Sequence, residues 1–190
     1  MRVLLILFLC LFSQLSLAAS AVFAGGCFWC MEPPFDKLEG VTATISGYSG
    51  GNESDADYKS VSAGKTAHVE VIKVEYDPEK INYETLLEVF WRNVDPFDGQ
   101  GQFCDKGAQY KSYVYFANEK ERLAALASLD EVKKQLQASG KVIATELRER
   151  TPFYSAEAYH QDYYQKNPIR YKFYRTRCGR DARLKAVWGK

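Results

Sequence analysis

Residues 22–32 read Val22-Phe23-Ala24-Gly25-Gly26-Cys27-Phe28-Trp29-Cys30-Met31-Glu32. A short apolar strand runs to Ala24, a Gly-Gly turn follows, and a helix starts at about Cys27. Glycine lets the backbone turn sharply from strand into helix. Cys27 then sits at a helix N-terminus, where unpaired N–H groups and the helix dipole favour a thiolate and lower the thiol pKa. That is the position of a nucleophile. Phe28 and Trp29 follow on the first turn. Two adjacent aromatics cannot both point into one core, so at least one lines the pocket at the carboxyl end of the strand. The helix reaches towards Leu38, with its length left open by Pro33 and Pro34.

Outward from this unit, β-branched runs predict strands at Val41–Tyr48, Ala67–Tyr76, Ser112–Phe116 and Val142–Leu147. Gly50 to Gly64 and Asp95 to Gly107 read as polar loops. Asn82 caps a helix over Tyr83–Asn93. A longer helix spans Glu119 to about Ala138, with Leu123, Leu126, Leu129, Val132 and Leu136 at three- and four-residue steps. A short helix is expected near Ala156–Gln165, and an irregular tail after Pro168. Strands and helices are mixed without repeats or linkers. The pattern predicts one α+β domain, a mixed sheet with helices packed on it.

The chain has 190 residues, 46% hydrophobic and 26% charged, which excludes disordered and fibrous classes. Its net charge of +1 offers no excess for nucleic acid. Residues 1–21 have Arg2, an apolar run Val3–Phe12 and then small residues, the layout of a secretory signal peptide cleaved at about 18–21. The run is too short to span a bilayer. An exported chain, periplasmic or secreted and without stable membrane association, is expected, with a catalytic domain over 22–190. Of five cysteines, Cys10 leaves with that segment, and Cys27, Cys30, Cys104 and Cys178 remain. Nine basic residues against Asp181 alone make 166–190 strongly basic. Such a tail reads first as a solvated surface.

Cys27 and Cys30 form a CxxC pair. The residues alone leave several readings open: a redox pair of the thioredoxin type, two static disulfides, or a zinc site drawing on all four cysteines. Haem attachment needs a histidine at position 31, which is Met. Alternation on Ala67–Tyr76 puts His68, Glu70, Ile72, Val74 and Tyr76 on one face. A carboxyl among apolar side chains holds its proton to higher pH and can act as general acid. His68 reads as satisfying a local hydrogen bond. Tyr48 and Tyr110, at strand ends, can hydrogen-bond an oxide or oxyanion.

Together these residues resemble the peptide methionine sulfoxide reductases of the A type. The likeness is carried by Gly25-Gly26-Cys27-Phe28-Trp29, Gly47-Tyr48-Ser49-Gly50-Gly51, Thr66-Ala67-His68-Val69-Glu70, Tyr76-Asp77-Pro78, Phe90-Trp91, Asp95-Pro96, Gln109-Tyr110-Lys111-Ser112 and 158–164. It implies an α/β roll with a ferredoxin-like core and reduction of methionine (S)-S-oxide, free or in oxidised peptides and proteins. Cys27 is the implied nucleophile and Glu70 the acid. Tyr48 and Tyr110 assist, Asp95 shapes the site, and Phe28 and Trp29 hold the S-methyl group. A resolving cysteine then forms a disulfide that a thioredoxin-like donor reduces. No metal or organic cofactor, no nucleic acid and a monomer are implied. The family motif commonly has Gly where this chain has Cys30, and its usual tail is Gly-rich. Cys178, among Arg175, Arg177 and Arg180, is the first expectation for the resolving role, with Cys30 and Cys104 as alternatives or relays. Thiol–disulfide exchange by Cys27 and Cys30 is the competing function.

Overall fold

The computed structural model describes residues 19–189. The signal-segment expectation falls on residues outside these, apart from positions 19–21. Those three begin the first strand, with Ala21 fully buried. Among the described residues no helix is long and apolar enough to cross a membrane.

The chain runs β1 (Ala19–Gly25), α1 (Phe28–Asp36), β2 (Val41–Ser49), α2 (Tyr58–Ser62), β3 (Val69–Tyr76) and α3 (Tyr83–Arg92). Then come β4 (Gly101–Gln102), β5 (Asp105–Lys106), β6 (Ser112–Phe116), α4 (Glu119–Leu136), β7 (Glu146–Glu149) and β8 (Phe153–Ser155). Helices α5 (Tyr163–Lys166), α6 (Pro168–Arg177) and α7 (Arg180–Trp188) complete it. Six strands form one sheet in the order β7-β6-β1-β3-β2-β8, and β4 pairs with β5 in a separate ribbon. Only the β6–β7 pairing in the large sheet is parallel. The result is the expected α+β domain with a mixed sheet.

Sequence periodicity explains which face the helices cover. On β3, Ile72, Val74 and Tyr76 join Phe23 of β1 and Val114 of β6 in the main core. Helices α1 and α3 supply Phe28, Met31, Phe35, Leu86, Leu87 and Phe90. The opposite residues, Val69, Val71, Val22 and Ala24, pack with Tyr113 and Tyr115 in a smaller cluster. Glu70 shares the helix-covered face, as alternation requires. Asn82 caps α3 by accepting the Thr85 N–H at 2.8 Å.

Three expectations change. On α4, Leu123 and Leu126 are exposed, while Ala125 and Val132 are buried and Leu129 and Leu136 half-buried against them. Three-residue steps fall short of a full 3.6-residue turn and drift around the helix, whereas 125, 129, 132 and 136 stay on one face. The strand expected at Val142–Leu147 begins at Glu146, and Val142 is exposed. The tail is helical rather than irregular and is docked rather than solvated. Gly179, at φ +68°, makes the turn between α6 and α7. Arg180 then enters the interior, its Nη2 donating to the carbonyls of Asn93 at 2.6 Å and Gly25 at 3.2 Å. Arg183 pairs with Asp95, and the Trp188 indole N–H donates to the Val94 carbonyl at 3.1 Å.

Candidate active site

Cys27 is the N-cap residue of α1 and is buried. The turn that puts it there depends on both glycines. Gly26 has φ +80°, and a Cβ on Gly25 would lie 2.5 Å from Met31 Sδ. Glu70, on the neighbouring strand β3, reaches the same helix end, where one carboxylate oxygen accepts the Phe28 N–H at 3.1 Å. Burial pushes the Glu70 carboxyl up to about 8, against the downward pull of that N–H. Glu70 is therefore a protonated acid at neutral pH.

A cavity of about 90 Å³ opens on these groups. It is lined by Cys27, Phe28, Trp29, Tyr58, Glu70, Asp105, Tyr110 and Tyr174. A far larger groove, about 1200 Å³, lies between α3 and α4 and contains none of the expected site residues. Chemistry decides between the two, since only the small cavity holds a nucleophile and an acid together.

Trp29 is fixed from behind. Its indole N–H donates to His160 Nδ1 at 3.0 Å and its ring stacks on Tyr163 at 3.8 Å between centroids. Burial pushes the phenol of Tyr58 up to about 12 and that of Tyr110 further still, so both stay hydrogen-bond donors at neutral pH. His68 meets its expected role: its Nδ1 accepts from Gly51 N–H at 3.2 Å, and its Nε2 lies 2.8 Å from the Asn52 carbonyl.

Two expected site residues stand elsewhere. The Tyr48 hydroxyl donates to Glu157 at 2.8 Å, and the other oxygen of that carboxylate accepts the Tyr58 N–H at 2.9 Å. Tyr48 thus braces α2, and Tyr58 occupies the pocket. Asp95 accepts from Arg183 Nε at 2.6 Å and from Phe97 N–H, and its backbone pairs twice with the Gln102 side chain. It ties α7 to the loop beneath Gly26, and the carboxyl in the pocket is Asp105. Sequence reading missed Tyr58 because α2 is a single turn inside a polar stretch. The available signal was Asp57, whose side chain caps that turn by accepting the Ser60 N–H.

The four cysteines divide into two pairs. Cys104 and Cys178 form a disulfide, while Cys27 and Cys30 are free thiols in hydrogen-bond contact. This arrangement sets aside a four-cysteine zinc site and a pair of static disulfides. The thiol expectation also changes. Burial, then the neighbouring Cys30 thiolate, pushes Cys27 up. Cys30 is lowered to about 7 by the hydrogen bond from Cys27, aided by the charges of Arg180 and Arg175. When the pair carries a single proton, the environment favours it on Cys27 and the charge on Cys30.

The sequence pattern described as Peptide methionine sulfoxide reductase matches residues 19–190. The Peptide methionine sulfoxide reductase MsrA of Bacillus licheniformis is 44% identical over 173 residues, 90% of this chain and 93% of its own. The solved structure of methionine sulfoxide reductase A of Corynebacterium diphtheriae aligns with TM-score 0.76 at 30% identity, over 83% of this chain and 78% of that one. Mxr1 from Saccharomyces cerevisiae, in reduced form, aligns with TM-score 0.73 at 32% identity, over 80% and 87%. The chain belongs to the peptide methionine sulfoxide reductase family.

Proposed function

We propose that this protein reduces methionine (S)-S-oxide, free and in oxidised peptides, to methionine. The observation that carries this is the protonated Glu70 docked on the same helix end as Cys27, inside a cavity with aromatic walls. The cavity suits a methyl sulfinyl group, with Phe28 and Trp29 against the methyl and the phenols of Tyr58 and Tyr110 on the oxygen.

The proton of Cys27 passes to the Cys30 thiolate, and the Cys27 thiolate attacks the sulfoxide sulfur. Glu70 gives its proton to the oxygen. Methionine leaves with the electron pair of its sulfur restored, and Cys27 carries the oxygen as a sulfenic acid. Cys178 is bonded to Cys104 in this structure, so the resolving role falls to Cys30, one helical turn away. Its thiol attacks the Cys27 sulfenic sulfur, a disulfide forms, and the hydroxyl departs with the thiol proton as water. A thioredoxin-like dithiol then returns two electrons and two protons. The setting is repair of oxidised proteins by an exported, periplasmic or secreted monomer. The composition of residues 1–21 supports the export step, and N-terminal sequencing of the secreted chain tests it.

A single-turnover assay with a methionine sulfoxide peptide tests the chemistry. Two thiols disappear per methionine formed in the wild type, and one in Cys30→Ser. No methionine forms in Cys27→Ser. Insulin reduction that depends on Cys30, with no methionine formed, would replace this reading by thiol–disulfide exchange.

A further inference from the structure

The cavity has one wall that the functional reading does not use. Tyr174 comes from α6, in the tail. Its ring meets Trp29 edge-on at 5.9 Å between centroids, and its hydroxyl donates to Asp105 Oδ2 at 2.5 Å. Four residues on, at the C-cap of the same helix, is Cys178, bonded to Cys104, the neighbour of Asp105. Residues four apart lie on one helix face. The hydrogen bond 174–105 and the disulfide 178–104 are therefore two rungs between the same two segments.

Beyond these rungs, α6 is tied to its neighbours in the tail, Arg175 pairing with Asp181 of α7 and Tyr171 meeting Tyr164 of α5. None of its side chains is buried, and Ile169 and Phe173 are exposed. Helix α7, by contrast, is anchored by buried Arg180 and by Trp188. Cys104 is exposed, so a reductant can reach the upper rung without entering the pocket.

The geometry points to Tyr174 as the residue that sets the size of the sulfoxide substituent admitted, with the Cys104–Cys178 disulfide clamping it in place. This rests on the cavity being the methionine sulfoxide site. With the clamp closed, the cavity accepts an S-methyl group and rejects longer S-alkyl groups. A dithiol reductant opens the clamp. It gives two electrons and two protons, becoming a disulfide itself, and Cys104 and Cys178 become thiols. Tyr174 then keeps its hydrogen bond to Asp105 and its edge contact with Trp29 but loses the covalent rung beside them, and size selection relaxes.

The test compares single-turnover reduction of N-acetylmethionine sulfoxide with that of its S-ethyl homologue, so that recycling plays no part. One methylene in an apolar pocket changes rate about 10-fold or more. Tyr174→Ala and Tyr174→Leu should each raise the ethyl-to-methyl ratio about 10-fold. The Cys104→Ser/Cys178→Ser protein, and wild type pretreated with a dithiol, should raise it part of the way. Methyl turnover with an unchanged ratio in both Tyr174 variants overturns the inference. A raised ratio in those variants, with a wild-type ratio in the double cysteine variant, overturns the clamp. Failure of the wild type to reduce the methyl substrate would instead sink the functional reading itself.

Discussion

The carboxyl of Glu70 accepts the backbone N–H of Phe28 at 3.1 Å, which docks the acid on the helix turn that Cys27 opens. A hydrogen bond from an N–H favours the charged carboxylate, and burial opposes it. Burial wins, and the group titrates at about 8. The active form is the protonated one, so this group's contribution to the rate of methionine formation is lost as pH rises through about 8. Glu70→Gln cannot donate a proton. Its single-turnover rate should fall about 100-fold, and the alkaline decline should vanish. A Gln variant that keeps the alkaline decline assigns that titration to another group.

The acidic side of the same profile belongs to the sulfur pair. Cys30 must be a thiolate to take the proton of Cys27, and it titrates at about 7. Activity should rise through about 7 and fall through about 8, a narrow bell. The two limbs describe a pair and an acid that interact, so they are macroscopic values. In Cys30→Ser the acidic limb should leave the 7 region, while the alkaline limb stays. Stopped-flow methionine release across pH 5–10 reads both, and an unmoved acidic limb would remove Cys30 from the first chemical step.

Tyr48 and Tyr58 separate bracing from chemistry. Tyr58→Phe deletes a donor in the pocket and no hydrogen bond of its own hydroxyl to another protein group is lost among those described. Its kcat should fall about 10-fold, with a Tm close to wild type. Tyr48→Phe deprives Glu157 of a hydrogen bond at 2.8 Å. It should cost about 1 kcal/mol of stability, with a smaller effect on kcat. The reverse pattern, seen by thermal melts beside steady-state kinetics, would return Tyr48 to the pocket.

How much of this was legible beforehand depends on how local each signal is. The strand, glycine turn and helix start around Cys27 are set by neighbours in sequence, and they read correctly. So does the face of β3, because a period of two leaves no choice about where Glu70 points. The pocket's far side is assembled from α2, the β4–β5 ribbon and α6, which meet only through the fold. Tyr58, Asp105 and Tyr174 lie in stretches whose composition says loop or tail. Asp95 enters through the resemblance, on Asp95-Pro96, and a motif does not say which carboxyl faces the cavity, where the structure has Asp105. The thiol pKa values depend on Arg180, about 150 residues away in sequence, and on burial. No local pattern carries either.

The same arginine gives the last expectation. Arg180 is 1% exposed, and its Nη2 meets the carbonyls of Asn93 and Gly25 and the sulfur of Met31. Its planar group also lies over the Phe103 ring at 4.4 Å. Arg180→Met keeps the aliphatic stem and removes the donors. Two carbonyls next to the Gly25-Gly26 turn are left without this partner, a loss of about 2–4 kcal/mol. Removing the positive charge also raises the Cys30 titration, because that charge favours the thiolate. Arg183→Met, which takes a partly exposed guanidinium from the buried carboxyl of Asp95, should cost about 1–3 kcal/mol and leave Cys30 where it was. Denaturant unfolding and ultraviolet thiolate absorbance measure the two effects separately. If Arg180→Met matched Arg183→Met in both, the buried arginine would have no hold on the catalytic turn.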